Sequence, residues 1–337
     1  MQRAVIASFF VLLCAYLFHL KTSLITLSQP AISELQDMSV SRQVVKRVFA
    51  VEQAEGVGAR VRRSIGSMPL RNLSPFLMLD HFKVAKGAGF PDHPHRGQAT
   101  VTYMLGGSFR HEDSAGHQGE IVKGGVQWMC AGRGIIHAEM PVHAPGQPDP
   151  EGLQLWIDLP KEQKMMAPNY QELGPEGIPS AFPAGPDGGI EIKVISGKSH
   201  GVDSPVRPQG GCWYFHVTFH KKGTFFQDIP AGWTTFLYII KGNIIVNPSN
   251  SESKKEEPFN TLVLSAGANE TGVAIQALED NTEFVLIAGE PLDQTVVQYG
   301  PFVMTSREDI QKTLMDYQTA RNGFEKAHTW QSEIAKQ

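Results

Sequence analysis

From about Val40 onward, the apolar residues of this 337-residue chain come in short alternating runs, VVKRVFAVE, FLMLDHF, TVTYML, GVQWMCAG and LQLWIDLP, with turns between them. Alternation with a period of two buries one face of an extended strand, whereas an amphipathic helix needs a period near 3.6. Strands recurring about every ten residues, joined by Gly-rich connections, predict an all-β protein built as a sandwich or closed barrel. The 33 glycines and 22 prolines suit many tight turns better than long helices.

The pattern occurs twice. After NYQELGPEGIPSAFPAGPDGG, a Pro/Gly-rich stretch with little periodicity, a second set follows: EIKVISG, GCWYFHVTF, TTFLYIIKGNIIVN, NTLVLSAG, GVAIQAL and TEFVLIAG. TTFLYIIKGNIIV and TVTYMLGGSF share a strand, Gly-centred turn, strand layout, so the halves read as diverged copies of one fold. The expected organisation is a first barrel over 39–168, a linker over 169–190, a second barrel over 191–304 and a tail over 305–337. In the tail, Ile310, Leu314 and Tyr317 recur at helical steps and Ser306 precedes Asp309 by three, predicting one capped amphipathic helix folded back on the barrels.

Residues 1–38 stand apart. Ala4 to Leu20 contains no Lys, Arg, Asp or Glu and follows Arg3, which resembles a secretory signal or signal anchor. It is short for a spanning helix and no small-x-small cleavage site follows cleanly, so an organelle-targeting extension and an ordinary tail remain open. The rest of the chain offers little to a phosphate backbone, because the net charge is −4. Direct nucleic-acid binding is therefore not expected. Arg60, Arg62 and Arg63 form a local basic run, read most simply as a solvated strand face. Cys14, Cys130 and Cys212 form no C-x-x-C pair, which fits a reducing compartment and no disulfide framework.

The chemistry-bearing feature is a pair of short spacings. In His93-Pro94-His95 an extended backbone sends both imidazoles to one side, and His137-Ala138-Glu139 does the same for an imidazole and a carboxylate. Facing strands inside a barrel would then supply three nitrogens and one oxygen, a set suited to a first-row divalent cation with open positions. Iron(II) is the expected ion; manganese, nickel, copper or zinc would also fit. Spacing alone leaves a second reading open, in which these are structural histidines. Asp92 is placed to orient an imidazole from behind. His111, His117 and His143 are expected at the barrel rim, His111 closest to the site and the others at the surface. Ser114 sits near Asp113 and His117, but no nucleophile elbow surrounds it, which argues against a hydrolase.

The runs FPDHPHRG, TVTY, HEDSAGH, WMCAGRGIIHAEMP, GLQLWIDLP, YQEL, VISG, LIAGEPL and GPFVM, in that order, strongly resemble the pirin family from roughly Ser39 to the C-terminus. The resemblance implies two cupin (jelly-roll) β-barrels in tandem with a C-terminal helix, and iron in the first barrel held by His93, His95, His137 and Glu139. It implies no metal in the second barrel, where PAGWTTFLYI puts Trp233 and Thr235 in place of His-x-His, and His216 and His220 read as packing or surface residues. Two departures stand out: Ala99 lies where the family commonly has Glu, and TYMLGGS lacks the usual acidic residue before the Gly turn.

Some pirins are flavonol dioxygenases of the quercetinase kind. By that resemblance this chain would be a quercetin 2,3-dioxygenase consuming a flavonol and O₂, with Glu139 taking or relaying the proton of the 3-hydroxyl. Phe76, Met78 and Trp128 would wall an aromatic-sized pocket or simply serve as core. The opposing reading, from other family members, is a non-enzymatic, iron-dependent, redox-sensing co-regulator that binds transcription factors or G-protein α-subunits, with Arg60, Arg62 and Arg63 as a contact patch. A storage bicupin is disfavoured, since it needs no ligand set. The resemblance points to a monomer in nucleus and cytoplasm. Only the apolar N-terminal segment points to a membrane or the secretory pathway.

Overall fold

The computed structural model describes residues 39–336, so the apolar segment Ala4 to Leu20 and the expectations attached to it lie outside the described residues. The remainder is a bicupin. Each half is a barrel made of a seven-stranded sheet and a four-stranded sheet. In the first barrel the large sheet runs in the order Asn169–Leu173, Val126–Cys130, Gln98–Gly106, Glu151–Asp158, Phe76–Lys83, Ala59–Arg63, Val51–Glu55. The small sheet runs Phe90–His95, Ile135–Val142, Ser108–Asp113, Gln118–Val122.

Alternation along the strands sorts side chains into layers. Val101, Tyr103, Leu153 and Leu155 meet Tyr214, Phe236, Val285 and Ile287 of the second barrel, forming an apolar layer between the two large sheets. Phe76 and Phe236 meet edge to face there, with ring centroids 5.0 Å apart. Two polar bridges cross the same layer with opposite polarity. His81 Nδ1 lies 2.9 Å from the Tyr238 hydroxyl and its Nε2 2.7 Å from Glu151, while Tyr103 reaches His216 Nδ1 at 3.0 Å. His216 is thus a seam residue, whereas His220 is exposed beside Glu191.

The lumens differ. The second is filled by Phe215, Phe219, Leu237, Phe284, Leu286 and Ile275. Beside the PAGWTTFLYI turn, the buried Arg42 guanidinium donates to Pro230 O at 2.9 Å, Trp233 O at 2.6 Å and Thr235 Oγ1 at 2.8 Å. A fixed cation therefore neighbours Trp233 and Thr235. The first lumen instead keeps a polar end, lined in part by His93, His95 and Glu139.

The expected domain limits are crossed in two places. Val44–Phe49, assigned to the first half, pairs antiparallel with Asn260–Leu264 and forms an edge of the second barrel's large sheet. Within the expected linker, Asn169–Leu173 pairs with Val126–Cys130, and Ser180–Ala181 pairs with Ile190–Ser196. Strand periodicity states that a segment is extended but not which edge it joins.

The tail is only partly helical. Ser306 caps Arg307–Gln318 as expected, its hydroxyl accepting from Asp309 N at 3.1 Å. The helix stops because Ala320 and Asn322 adopt positive φ and Gly323 comes next at +109°. Beyond the helix the chain wraps back onto the first barrel. Arg96, next to His95 and almost fully buried, donates to Asp316 Oδ2 (2.9 Å), Asn322 O (2.6 Å) and Arg133 O (2.6 Å), with its guanidinium 4.5 Å over the Phe324 ring. Among the described residues no helix is long and apolar enough to cross a membrane.

Candidate metal centre

The strands Phe90–His95 and Ile135–Val142 pair antiparallel with His93 directly opposite His137. The register slips between His137 and Glu139, whose partner is Phe90, so the strand carrying Pro91 and Asp92 holds one extra residue. A bulge of this kind accommodates Pro and bends the strand, turning its side chains toward the lumen. His93, His95 and His137 accordingly converge, with one ring nitrogen from each lying within 4.8 Å of the others. Their ring centroids are 5.0 Å (His93–His95), 4.3 Å (His93–His137) and 5.0 Å (His95–His137) apart.

The donor set fits a cation on three counts. His93 Nδ1 lies 2.8 Å from Pro91 O. A carbonyl only accepts, so the proton sits on Nδ1 and the Nε2 lone pair is free. His95 Nε2 and His137 Nε2 are buried without any hydrogen-bond partner. Leaving a buried polar atom unpaired costs about 1–3 kcal/mol, and a single ion would satisfy both atoms. Finally, burial, reinforced by the neighbouring imidazoles, holds the pKa of His95 and His137 well below the usual imidazole range, which keeps both rings neutral with one lone pair each; at His95 that lone pair is on Nε2 when the Gln98 amide, 2.9 Å from Nδ1, turns its oxygen to the ring.

That depression has a sign. In the metal-free protein the folded state resists protonation, while the unfolded chain takes up protons below about pH 6.5. The contribution of these histidines is present above that pH and is lost as pH falls toward their depressed folded values, by about 1.4 kcal/mol per unit per histidine at most. Urea titration of metal-free protein from pH 7 to 5 should show a falling midpoint, and a flat profile would count against a buried neutral cluster.

Glu139, expected to complete the set, is buried on the lumen side, but its carboxylate lies outside the three-imidazole group. Both oxygens are engaged: Thr102 Oγ1 donates to Oε1 at 2.8 Å and Gln154 Nε2 to Oε2 at 3.0 Å. Thr102 and Gln154 face each other across adjacent strands, and neither was singled out in the sequence. Ala99 lies on the opposite face of Thr102's strand, in the inter-barrel layer, so a Glu side chain there would start from the side away from the lumen.

The other expectations divide. Asp92 orients no imidazole; its carboxylate accepts from Ser332 N at 3.2 Å and clasps the tail. His111 is buried beside Glu139, its Nε2 3.1 Å from Glu172. His117 is exposed in the turn closed by Asp113, and His143 is half-buried near Asp149. Ser114 Oγ accepts from Ile136 N at 3.1 Å, while the Asp113 carboxylate is taken by His117 Nδ1 and the backbone of its own turn. Of the three expected wall residues, Phe76 and Trp128 belong to the core and Met78 lines the cavity. The basic run is not a free patch: Arg60 and Arg62 pair with Glu52, and Arg63 with Asp80 and Glu55.

The cluster opens onto a cavity of about 800 Å³, within the range of small-molecule sites. His93, His95, Glu139, Thr102 and Gln154 line one part, and Met78, Phe82, Phe90, Phe109 and Trp156 supply apolar wall. Val296, Gln298 and Pro301, which lie beyond the last strand of the second barrel, also line it.

The description of the pirin family matches residues 58–157, and that of the pirin C-terminal cupin domain matches residues 214–323. The chain belongs to the pirin family. Human pirin is 46% identical over 299 residues, covering 88% of this chain and 99% of that protein. Pirin-like protein 2 of Arabidopsis thaliana is 45% identical over 296 residues, covering 87% of this chain and 89% of its own length. Among solved structures, a quercetin 2,3-dioxygenase from Acinetobacter baumannii is similar with a TM-score of 0.74 at 27% identity, over 84% of this chain and 99% of that one. A bacterial pirin from Escherichia coli, solved in complex with nickel(II), has a TM-score of 0.55 at 20% identity over 73% of this chain and 99% of its own, a likeness of fold alone. In this pirin-family chain the residues able to hold a metal are the three histidines of the first barrel, among the described residues.

Proposed function

We propose that this chain is a flavonol dioxygenase of the quercetin 2,3-dioxygenase type, with iron(II) held in the first barrel by His93, His95 and His137 and with Glu139 beside it. The observation that carries the reading is a pair of buried, partnerless Nε2 atoms, on His95, which lines an aromatic-walled cavity of about 800 Å³, and on His137 beside it. The likeness to a quercetin 2,3-dioxygenase supports it. When bound, the ion supplies a Lewis acid that lowers the pKa of a flavonol 3-hydroxyl, together with open positions for substrate and O₂.

The chain's own side chains do the rest. Glu139 accepts the 3-hydroxyl proton on a carboxylate oxygen. Thr102 and Gln154 hold that carboxylate in one orientation, so little reorganisation is needed when the proton arrives. Phe82, Phe90, Phe109 and Trp156 exclude water and pack against flat rings. The resemblance implies that Glu139 is the fourth ligand. Its existing engagement by two donors favours the base, and a Glu139→Gln substitution separates the two roles.

The deciding assay is direct. Iron(II)-loaded protein mixed with quercetin without oxygen should shift the flavonol absorption band, and admitting air should bleach it with release of carbon monoxide. If no flavonol is bleached, the dioxygenase reading fails and the co-regulator role becomes the better proposal.

A further inference from the structure

The first lumen carries a polar row of which the proposed chemistry uses only one end. Thr102 is paired with Gln154 across adjacent strands, Gln154 with Asp80, and Asp80 with Arg63, so four strands place polar side chains at one level of the sheet. Glu139 takes up Thr102 and Gln154. Beyond them Arg63 binds Asp80 through two bonds, Nε to Oδ1 at 2.8 Å and Nη2 to Oδ2 at 2.6 Å, and reaches Glu55 Oε2 at 2.6 Å. Asp80 is buried at 3% exposure, and all three residues line the same cavity as the histidines. Arg63 Nη1 makes none of these bonds.

An ion cluster inside a barrel needs a reason, since pairing seldom repays the loss of hydration unless the remaining lone pairs and protons are also used. Here one guanidinium faces two carboxylates, so the cluster offers acceptors with second lone pairs, at least one free donor, and a net negative charge. A phenolic hydroxyl, which both donates and accepts, matches that combination, and an anionic substituent does not. Strands lie about 4.8 Å apart, so Arg63 is two spacings, or about 10 Å, across the sheet from Gln154. That is comparable with the reach of a three-ring flavonol from its 3-hydroxyl to the hydroxyls of its outer ring.

We propose that Arg63, Asp80 and Glu55 form a hydroxyl-reading subsite in this cavity, which selects flavonols hydroxylated on the outer ring over those with a bare ring. The inference rests on the flavonol dioxygenase reading and names its substrate class. Arg71 is the competing feature. It lines the cavity, is exposed, and would favour a sulfated or carboxylated ring instead.

The test measures binding without turnover. Protein loaded with zinc(II), which does not activate oxygen, is titrated with quercetin (two outer-ring hydroxyls), kaempferol (one), galangin (none) and a sulfated quercetin, following tryptophan fluorescence. Quercetin should bind about tenfold more tightly than galangin, with kaempferol between, as expected for two modest hydrogen bonds. Glu55→Gln and Asp80→Asn should reduce that ratio to under about threefold. Glu55 is partly exposed, so its variant should fold even if the buried Asp80 change does not. Equal binding of quercetin and galangin to the parent protein overturns the subsite while leaving the flavonol reading standing. Tighter binding of the sulfated compound overturns it in favour of Arg71. If none of the four binds, the flavonol reading falls and the subsite with it.

Discussion

His95→Ala or His137→Ala should empty the first barrel of metal. Each substitution removes a buried Nε2 whose absence of any protein partner is the main reason to place a cation there. Even an outer hydrogen-bonding partner of a ligand is typically worth 10- to 100-fold in metal affinity, so a lost ligand should cost roughly 100-fold or more. Metal per chain, measured after dialysis against a weak chelator, should fall from about one equivalent to under a tenth, as the roughly 100-fold loss implies. A second readout guards against simple misfolding. The metal-free variants should still unfold in one cooperative transition, at a denaturant concentration lowered by the cavity each truncation leaves, while the parent alone is stabilised by added metal. Unchanged metal content in both variants would remove the assignment.

Glu139→Gln should separate turnover from metal binding. The amide keeps the size of the side chain and an oxygen able to accept from Thr102 or Gln154, but it cannot take a proton at neutral pH. Loss of a positioned general base usually costs about 10²–10⁴ in rate. Bleaching of a flavonol should therefore slow by that order while metal per chain stays at the parent level. Loss of metal together with activity would instead make Glu139 a ligand that leaves Thr102 and Gln154 when the ion binds. Full activity would leave it with neither role.

Both predictions turn on residues whose visibility in the sequence differed. The two imidazoles of HPH and the third in HAE were legible because a strand alternates faces, so a two-residue spacing fixes a shared side whatever the strand pairs with. Thr102, Gln154 and Asp80 were not. They are ordinary polar residues, and they gain meaning only because Glu151–Asp158 lies between Gln98–Gly106 and Phe76–Lys83. Ala99 shows the reverse case: it looked like a lost carboxylate in the sequence, yet its strand face points it away from the cavity. Asp92 is next to the ligand-bearing His pair along the chain and still spends its carboxylate on Ser332, 240 residues away.

The amino-acid order alone determined that the chain is built of strands, that it contains two related halves, and that His93 and His95 share a face, as do His137 and Glu139. All of these arise from periodicity, which is a property of neighbouring residues. Only the folded molecule decided that Val44–Phe49 completes the second barrel, that the tail clasps the first through Arg96, and that the Glu139 carboxylate accepts from Thr102 and Gln154. Those outcomes depend on which sheet edge a strand meets and which buried polar groups find one another. Such choices are settled by burial and register over distances along the chain that no local pattern spans.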